Sequence, residues 1–135
     1  MTKDKVKIFV GKRKTAVAQA IVRKGSGNVV INKVPLEVFQ PEVARMRIIQ
    51  TLLLAEDIAR QYDFEIKVRG GGFMGQAEAV SIALARALST LSRRKTIREL
   101  YEEFDRALIA GDPRRTEPKK FGGPGPRRRR QKSYR

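Results

Sequence analysis

Apolar and polar positions alternate through residues 15–23, TAVAQAIVR. Ala16, Ala18, Ala20 and Val22 fall on one face, and Val17, Gln19, Ile21 and Arg23 on the other. A period of two marks a strand with one buried face. Residues 6–10, VKIFV, read as a shorter strand before it, and the turn composition KGSGN at 24–28 predicts that VVI, 29–31, returns as its hairpin partner. The row of small residues leaves room for a helix to pack close. From Pro41-Glu42, a pair suited to a first helical turn, to about Gln61 the spacing becomes helical, with Met46, Ile49 and Leu53 in register. FEIKV at 64–68 reads as a further strand. After a glycine-rich loop comes the strongest helical signal: Val80, Ala83, Leu84, Ala87, Leu88 and Leu91 lie at i, i+3, i+4, i+7, i+8 and i+11. A third helix over about 96–109 carries Ile97, Leu100, Tyr101, Phe104 and Leu108 on one side, and Gly111 and Pro113 end it. The pattern is that of a two-layer α+β domain over residues 1–111, without internal repeats.

Periodicity stops after Asp112. Residues 112–135 gain Pro, Gly and Arg, the composition of a segment with no core of its own. Charge sharpens the division. Residues 1–110 hold 20 Lys and Arg against 12 Asp and Glu, a net of +8, and residues 111–135 hold 10 against 2, another +8. Half of the +16 excess thus lies on under a fifth of the chain, a field that calls for a polyanion: a nucleic acid or an anionic membrane surface. The membrane reading is the weaker, because the cations cluster with Gly and Pro rather than along an amphipathic helix. The most apolar stretch, IIQTLLLA at 48–55, falls short of the roughly 20 residues that cross a bilayer, and the N-terminus has no signal-peptide run. The chain has no cysteine and no histidine, which excludes disulfides, thiolate metal sites, cysteine nucleophiles and the commonest general base. No cofactor or metal is expected, and no enzyme.

RGGGFMGQ at 69–76 spells GxGxxG through Gly70, Gly72 and Gly75. As a dinucleotide fingerprint it lacks context: the region where a second strand and an acidic residue belong is SRRKTIRE, basic and helical. Gly72-Phe73-Met74-Gly75 matches a KH-type GxxG, but follows a strand instead of joining two helices. Arg69-Gly70 opens like an RNA-recognition strand, yet the stacking positions are Gly71 and Gln76. A close-packed strand-to-helix turn explains one or two of these glycines. Three in a row suit a backbone lying against something bulky and anionic.

GGGFMGQAEAVSIALARAL, Gly70–Leu88, closely resembles the signature of the universal family of small-subunit ribosomal protein nine, through Gly75, Gln76, Ala79, Ala83, Ala85, Arg86, Ala87 and Leu88. The resemblance runs along nearly the whole chain. GKRKTAVAQA at 11–20 is similar to the family's opening segment, VINKVPLEVF at 30–39 to its hairpin exit, and DPRRTEPKKFG at 112–122 to its bridge into the tail. The ending GPGPRRRRQKSYR resembles the archaeal and eukaryotic branch, although the unbroken run Arg127–Arg130 departs from the expected smaller residues between arginines.

The resemblance implies a domain of the ribosomal S5 domain 2-like type with a left-handed crossover, against the general rule. It implies a structural role in the head of the cytoplasmic small subunit, beside neighbouring head proteins. The tail, 112–135, would be an extended basic segment ordered by RNA. Its end, Lys132, Ser133, Tyr134 and Arg135, matches the motif that approaches the anticodon stem-loop of peptidyl-site tRNA. The candidate contacts to small-subunit rRNA are Lys12, Arg13, Lys14, Gly70, Gly71, Gly72, Arg114, Arg115, Lys119, Lys120 and Arg127, Arg128, Arg129, Arg130. Fully extended at ~3.3 Å per residue, the last fifteen residues reach roughly 50 Å. From composition alone, an arginine run is as well explained by a solvated tail or a localisation signal, and a free-standing RNA or DNA chaperone remains the alternative class. Arg93, Arg94 and Lys95 read equally as a helix-end cap, and Gln76 as a local backbone partner or an RNA contact.

Overall fold

Alternation translates directly into burial in β2, Ala16–Lys24: Ala16, Ala18, Ala20 and Val22 are buried, while Gln19 and Arg23 are exposed. The structure is a computed structural model and describes residues 6–134. In chain order its elements are β1 (Lys7–Arg13), β2, β3 (Val29–Ile31), β4 (Val34–Pro35), a 3₁₀ turn at Leu36–Val38, α1 (Glu42–Leu53), α2 (Glu56–Ala59), β5 (Tyr62–Arg69), α3 (Phe73–Ser92), α4 (Lys95–Phe104) and α5 (Ala107–Ala110). The sheet order is β1-β2-β5-β3-β4. The helices cover the face that carries the β2 alanines, and the opposite face presents Lys12, Gln19, Glu65, Lys67 and Arg69 to solvent.

The hairpin expected between 15–23 and 29–31 does not form. β2 is flanked on both edges, antiparallel to β1 and to β5, and β3 pairs parallel with β5 and antiparallel with β4. Asp63 redirects the chain. Its Oδ1 accepts the backbone N–H groups of Ser26, Gly27 and Asn28 at 3.0, 3.1 and 3.0 Å, and the Phe64 N–H donates to the Asn28 carbonyl at 2.8 Å. The loop is thereby drawn across the start of β5 and delivers β3 to its far edge. Beyond β3, the Asn32 side chain continues the ladder, donating to the Val68 carbonyl and accepting its N–H, both at 3.0 Å.

The Asn28, Ser26 and Gly27 amides together hold the Asp63 carboxyl below its ordinary pKa. A folded-state value below the unfolded one contributes stability that is present above the unfolded pKa of about 3.9 and is lost as pH falls through the folded value. Asp63→Asn keeps the accepting oxygen but removes the charge. It is expected to lower the thermal midpoint at neutral pH, and the gap to wild type should close on acidification below about pH 4. Melting curves across the acid range check this.

α3 is buried on nearly every side through its middle, from Ala77 to Leu88, with Glu78 and Arg86 only partly covered. It lies on β1 and β2 with α1 alongside, and small residues set the closeness: a Cβ at Gly11 would stand 2.2 Å from the Ala79 carbonyl oxygen. α1 faces the core with Ala44, Ile48 and Thr51, whereas Met46 and Leu53 are 52% and 61% exposed. The helical stretch expected to reach about Gln61 is broken at Ala55, whose φ of −134° is not helical. The helix expected over 96–109 is broken too. At Asp105 the backbone extends, with φ −160°, and its Oδ1 accepts the Ala107 N–H at 3.0 Å to start α5. Tyr101 and Leu108 are buried, while Leu100 and Phe104 stay largely exposed. The Tyr101 hydroxyl donates to the Thr51 carbonyl at 2.7 Å, tying α4 to α1, and burial pushes its pKa up.

Candidate nucleic-acid interface

Two stretches far apart in sequence meet at one end of the sheet. β1 turns into β2 through Lys14 and Thr15, and β5 ends at Arg69 beside them: Lys12 pairs with Val17, which pairs with Arg69, so one row across the open face carries both cations. The next residues are the glycine loop. Gly70 and Gly71 have φ of +80° and +65°, the left-handed region that favours glycine. A Cβ at Gly70 would lie 2.5 Å from the Thr15 carbonyl oxygen, and one at Gly71 3.1 Å from the Ala16 Cβ. The turn therefore accounts for these two. Gly72 is different: its φ is −94°, and a Cβ there would meet nothing within 4 Å.

Gly72 is the N-cap of α3, with no side-chain cap and no acidic residue in the first turn. The unpaired amides at this end of a helix carry partial positive charge. Lys12, Lys14 and Arg69 lie at the same end of the sheet, all exposed and without an ion-pair partner among the described residues. The Gln76 side chain donates to the Gly70 carbonyl at 3.1 Å, so it serves as a local backbone partner that closes the loop. Arg93 adopts a left-handed φ of 54° at the end of α3, with Arg94 and Lys95 exposed after it.

From Gly111 to Tyr134 the chain holds no helix or strand. It is not uniformly extended: the Arg130 N–H donates to the Gly122 carbonyl at 3.1 Å, turning the segment back on itself. Arg127 pairs with Glu117 at 2.9 Å and Lys120 with the same carboxylate at 3.5 Å. Arg129 donates to the Phe121 carbonyl at 2.5 Å and lies 6.0 Å from that ring's centre. These cations take the few acceptors within reach of the tail itself. Phe121 and Tyr134 are 90% and 88% exposed, unusual for aromatic rings unless something stacks on them.

The candidate contacts thus divide. Lys12, Lys14, Arg115, Lys119, Arg128, Arg130 and Lys132 are exposed with no ion pair among the described residues. Arg13, Arg114, Lys120, Arg127 and Arg129 are engaged within the chain. Ser133 and Tyr134 are exposed, and Arg135 lies outside the described residues. Sequence reasoning missed Arg69 and Arg106 as free cations. Arg69 was visible as a basic residue next to the glycine loop, whereas the signal for Arg106 was the capping residue Asp105 before it, which the apolar spacing concealed. Arg106 and Lys12 line a groove of ≈ 850 Å³ between β1, α5 and the root of the tail.

The profile of the family described as Ribosomal protein S9/S16 matches residues 11–135. The chain belongs to this family. Among its relatives, the "Small ribosomal subunit protein uS9" of Desulfurococcus amylolyticus is 51% identical over 134 residues, covering 98% of this chain and 96% of that protein. The protein of the same name from Pyrobaculum aerophilum is 49% identical over 131 residues, 97% and 92% of the two chains. The S9/S16 match takes in both the sheet-end cluster and the whole basic tail, so family membership and the candidate interface concern the same residues.

Proposed function

We propose that the chain is a structural, non-catalytic constituent of the small ribosomal subunit that binds rRNA through its body and reaches peptidyl-site tRNA with its tail. The observation that carries the reading is the convergence of Lys12, Lys14, Arg69 and the open Gly72 amide end of α3 at one end of the sheet. Cations around an uncapped helix N-terminus bind phosphate without reading sequence, as a scaffold protein of an RNA particle requires. The relatives' names point to the same particle. The five-stranded α+β sheet is compatible with the S5 domain 2-like type, which we adopt together with a place in the head beside other head proteins and rRNA.

Division of labour follows from the chemistry. Gly70 and Gly71 make the turn that leaves Gly72 open to RNA, Lys12 and Lys14 neutralise phosphates at this end of the sheet, and Arg115, Lys119, Arg128 and Arg130 do so along the tail. Arg127, Arg129 and Lys120 join them once RNA replaces Glu117 and the Phe121 carbonyl as acceptor. Lys132, Ser133, Tyr134 and Arg135 meet the tRNA anticodon stem-loop, with the exposed Tyr134 ring stacking on a base.

Salt tests the electrostatic part. Affinity for single-stranded rRNA fragments should fall with a slope of about −0.7 per phosphate contact on logarithmic axes, and replacing Arg128 and Arg130 by Gln should flatten it by about 1.4. A salt-insensitive affinity would remove the account. Placement is tested by sedimenting a cell lysate after a high-salt wash. Retention with small subunits supports the proposal, and release to the light fractions identifies a loosely bound RNA chaperone instead.

A further inference from the structure

Three arginines from three different elements terminate on the ten residues that lead out of the domain. Arg47 of α1 pairs with Asp105 at 2.9 Å. Arg86 of α3 donates to the Ile109 carbonyl at 3.2 Å and to the Val10 carbonyl of β1 at 2.8 Å, bridging the end of α5 to the sheet. Arg13 of β1 donates to Glu78 of α3 at 2.6 Å and to the Arg114 carbonyl at 3.2 Å, and lies 3.4 Å from Asp112. Asp112 in turn accepts from the Arg114 backbone N–H at 3.0 Å and from its guanidinium at 2.7 Å. Gly111, with φ +85°, makes the reversal between α5 and this cluster.

The Arg13 and Asp112 side chains are only 12% and 9% exposed. This is unlike the free cations of the tail. With 30 Lys and Arg against 14 Asp and Glu, acids are scarce, yet Glu78, Asp105 and Asp112 all sit in this one cluster. An arginine whose donors already meet two carboxylates and a carbonyl is poorly placed to bind phosphate, since RNA would have to displace both anions first.

We propose that Arg13, Glu78 and Asp112 form a clasp that sets the direction in which the basic segment leaves the domain, so that Arg13 is a positioning residue and not an RNA ligand. The inference rests on the reading of the tail as an RNA-binding arm. An arm held at its root searches a narrower volume, which raises the effective concentration of its tip at a second site once the body is bound. The Arg114 guanidinium holds the Asp112 carboxyl well below the usual carboxylate range, so Asp112 stays charged in mildly acid solution.

The chain has no cysteine, so spin labels can be placed cleanly on Thr90→Cys in α3 and Thr116→Cys just past the clasp. Pulsed dipolar spectroscopy on the free protein should give one narrow distance distribution. In Arg13→Gln and Asp112→Asn it should broaden by about twofold or more, as the root behaves like an untethered linker. Lys67→Gln, on the open face of the sheet, should leave it unchanged, and Glu78→Gln supplies a second variant should Arg13→Gln fail to fold. Unchanged widths in the folded clasp variants would overturn the proposal, whatever RNA does. In small subunits, Arg13→Gln should lower cross-linking from the tail tip several-fold while cross-linking near Lys14 persists. Equal loss at both places would make Arg13 an ordinary RNA contact. Broadening in the free protein with no wild-type tip cross-link would leave the clasp standing and remove the RNA-arm reading.

Discussion

Gly11→Val is expected to remove a large part of the folding stability. A Cβ at Gly11 would stand 2.2 Å from the Ala79 carbonyl oxygen and 2.6 Å from the Ala83 nitrogen. Both are backbone atoms in the buried middle of α3, so no rotamer change relieves the overlap. Overpacking costs ~1–3 kcal/mol where side chains can shift. Here α3 must lift from β1 and expose the alanine face, so a loss of about 4 kcal/mol or more is expected. Against a typical domain stability of about 5–15 kcal/mol this is severe. Gly72→Ala is the control, since nothing lies within 4 Å of the added atom. Urea unfolding should place it within ~1 kcal/mol of wild type, the small cost of alanine at an N-cap. A Gly11→Val midpoint close to wild type would mean that helix and strand do not approach as described.

Removing residues 132–135 should have the opposite profile, with no effect on the fold and a large one on function. Among the removed residues, Lys132, Ser133 and Tyr134 are exposed and make no contact with the core. Melting temperature and retention on salt-washed small subunits should therefore match wild type. Peptidyl-site tRNA should bind more weakly, by about tenfold, the loss of one stacked aromatic and its flanking charge. Filter binding of tRNA to purified subunits measures this directly. Failure of the shortened chain to assemble would show that the tip belongs to the rRNA-binding machinery.

Periodic signals were legible because they are local. The alternation of Ala16, Ala18, Ala20 and Val22 and the stripe from Val80 to Leu88 each report one element's buried face, and both faces are buried where expected. Pairing was not legible in the same way. The partner of β3 is chosen by Asp63, more than thirty positions away, whose oxygen gathers three amides of the preceding loop. Met46 and Leu53 look like a helix's core stripe, yet Ala44, Ile48 and Thr51 take that role, because theirs is the face of α1 turned to the core. The break at Asp105 had a local signal, a capping residue within the helical run, that the apolar spacing concealed.

The candidate site was half readable. Lys12, Lys14 and the three glycines stood out as clusters, and the structure brings them together through the Val17 row and the Thr15 contact. What sequence cannot reveal is which cations are already satisfied. Arg13 sits between two free lysines and differs from them only in facing Glu78 and Asp112 across the fold. A charge run nominates candidate polyanion contacts, while the tertiary position of scarce carboxylates decides which of its members remain available.

In the proposed role, the body holds RNA while the tail's end meets tRNA. The most direct measurement places a photoreactive phenylalanine analogue at Tyr134 in small subunits loaded with peptidyl-site tRNA. A cross-link to the tRNA anticodon stem-loop that disappears when the tRNA is omitted is the expected result. Cross-links confined to rRNA or protein, unchanged by tRNA, would contradict it.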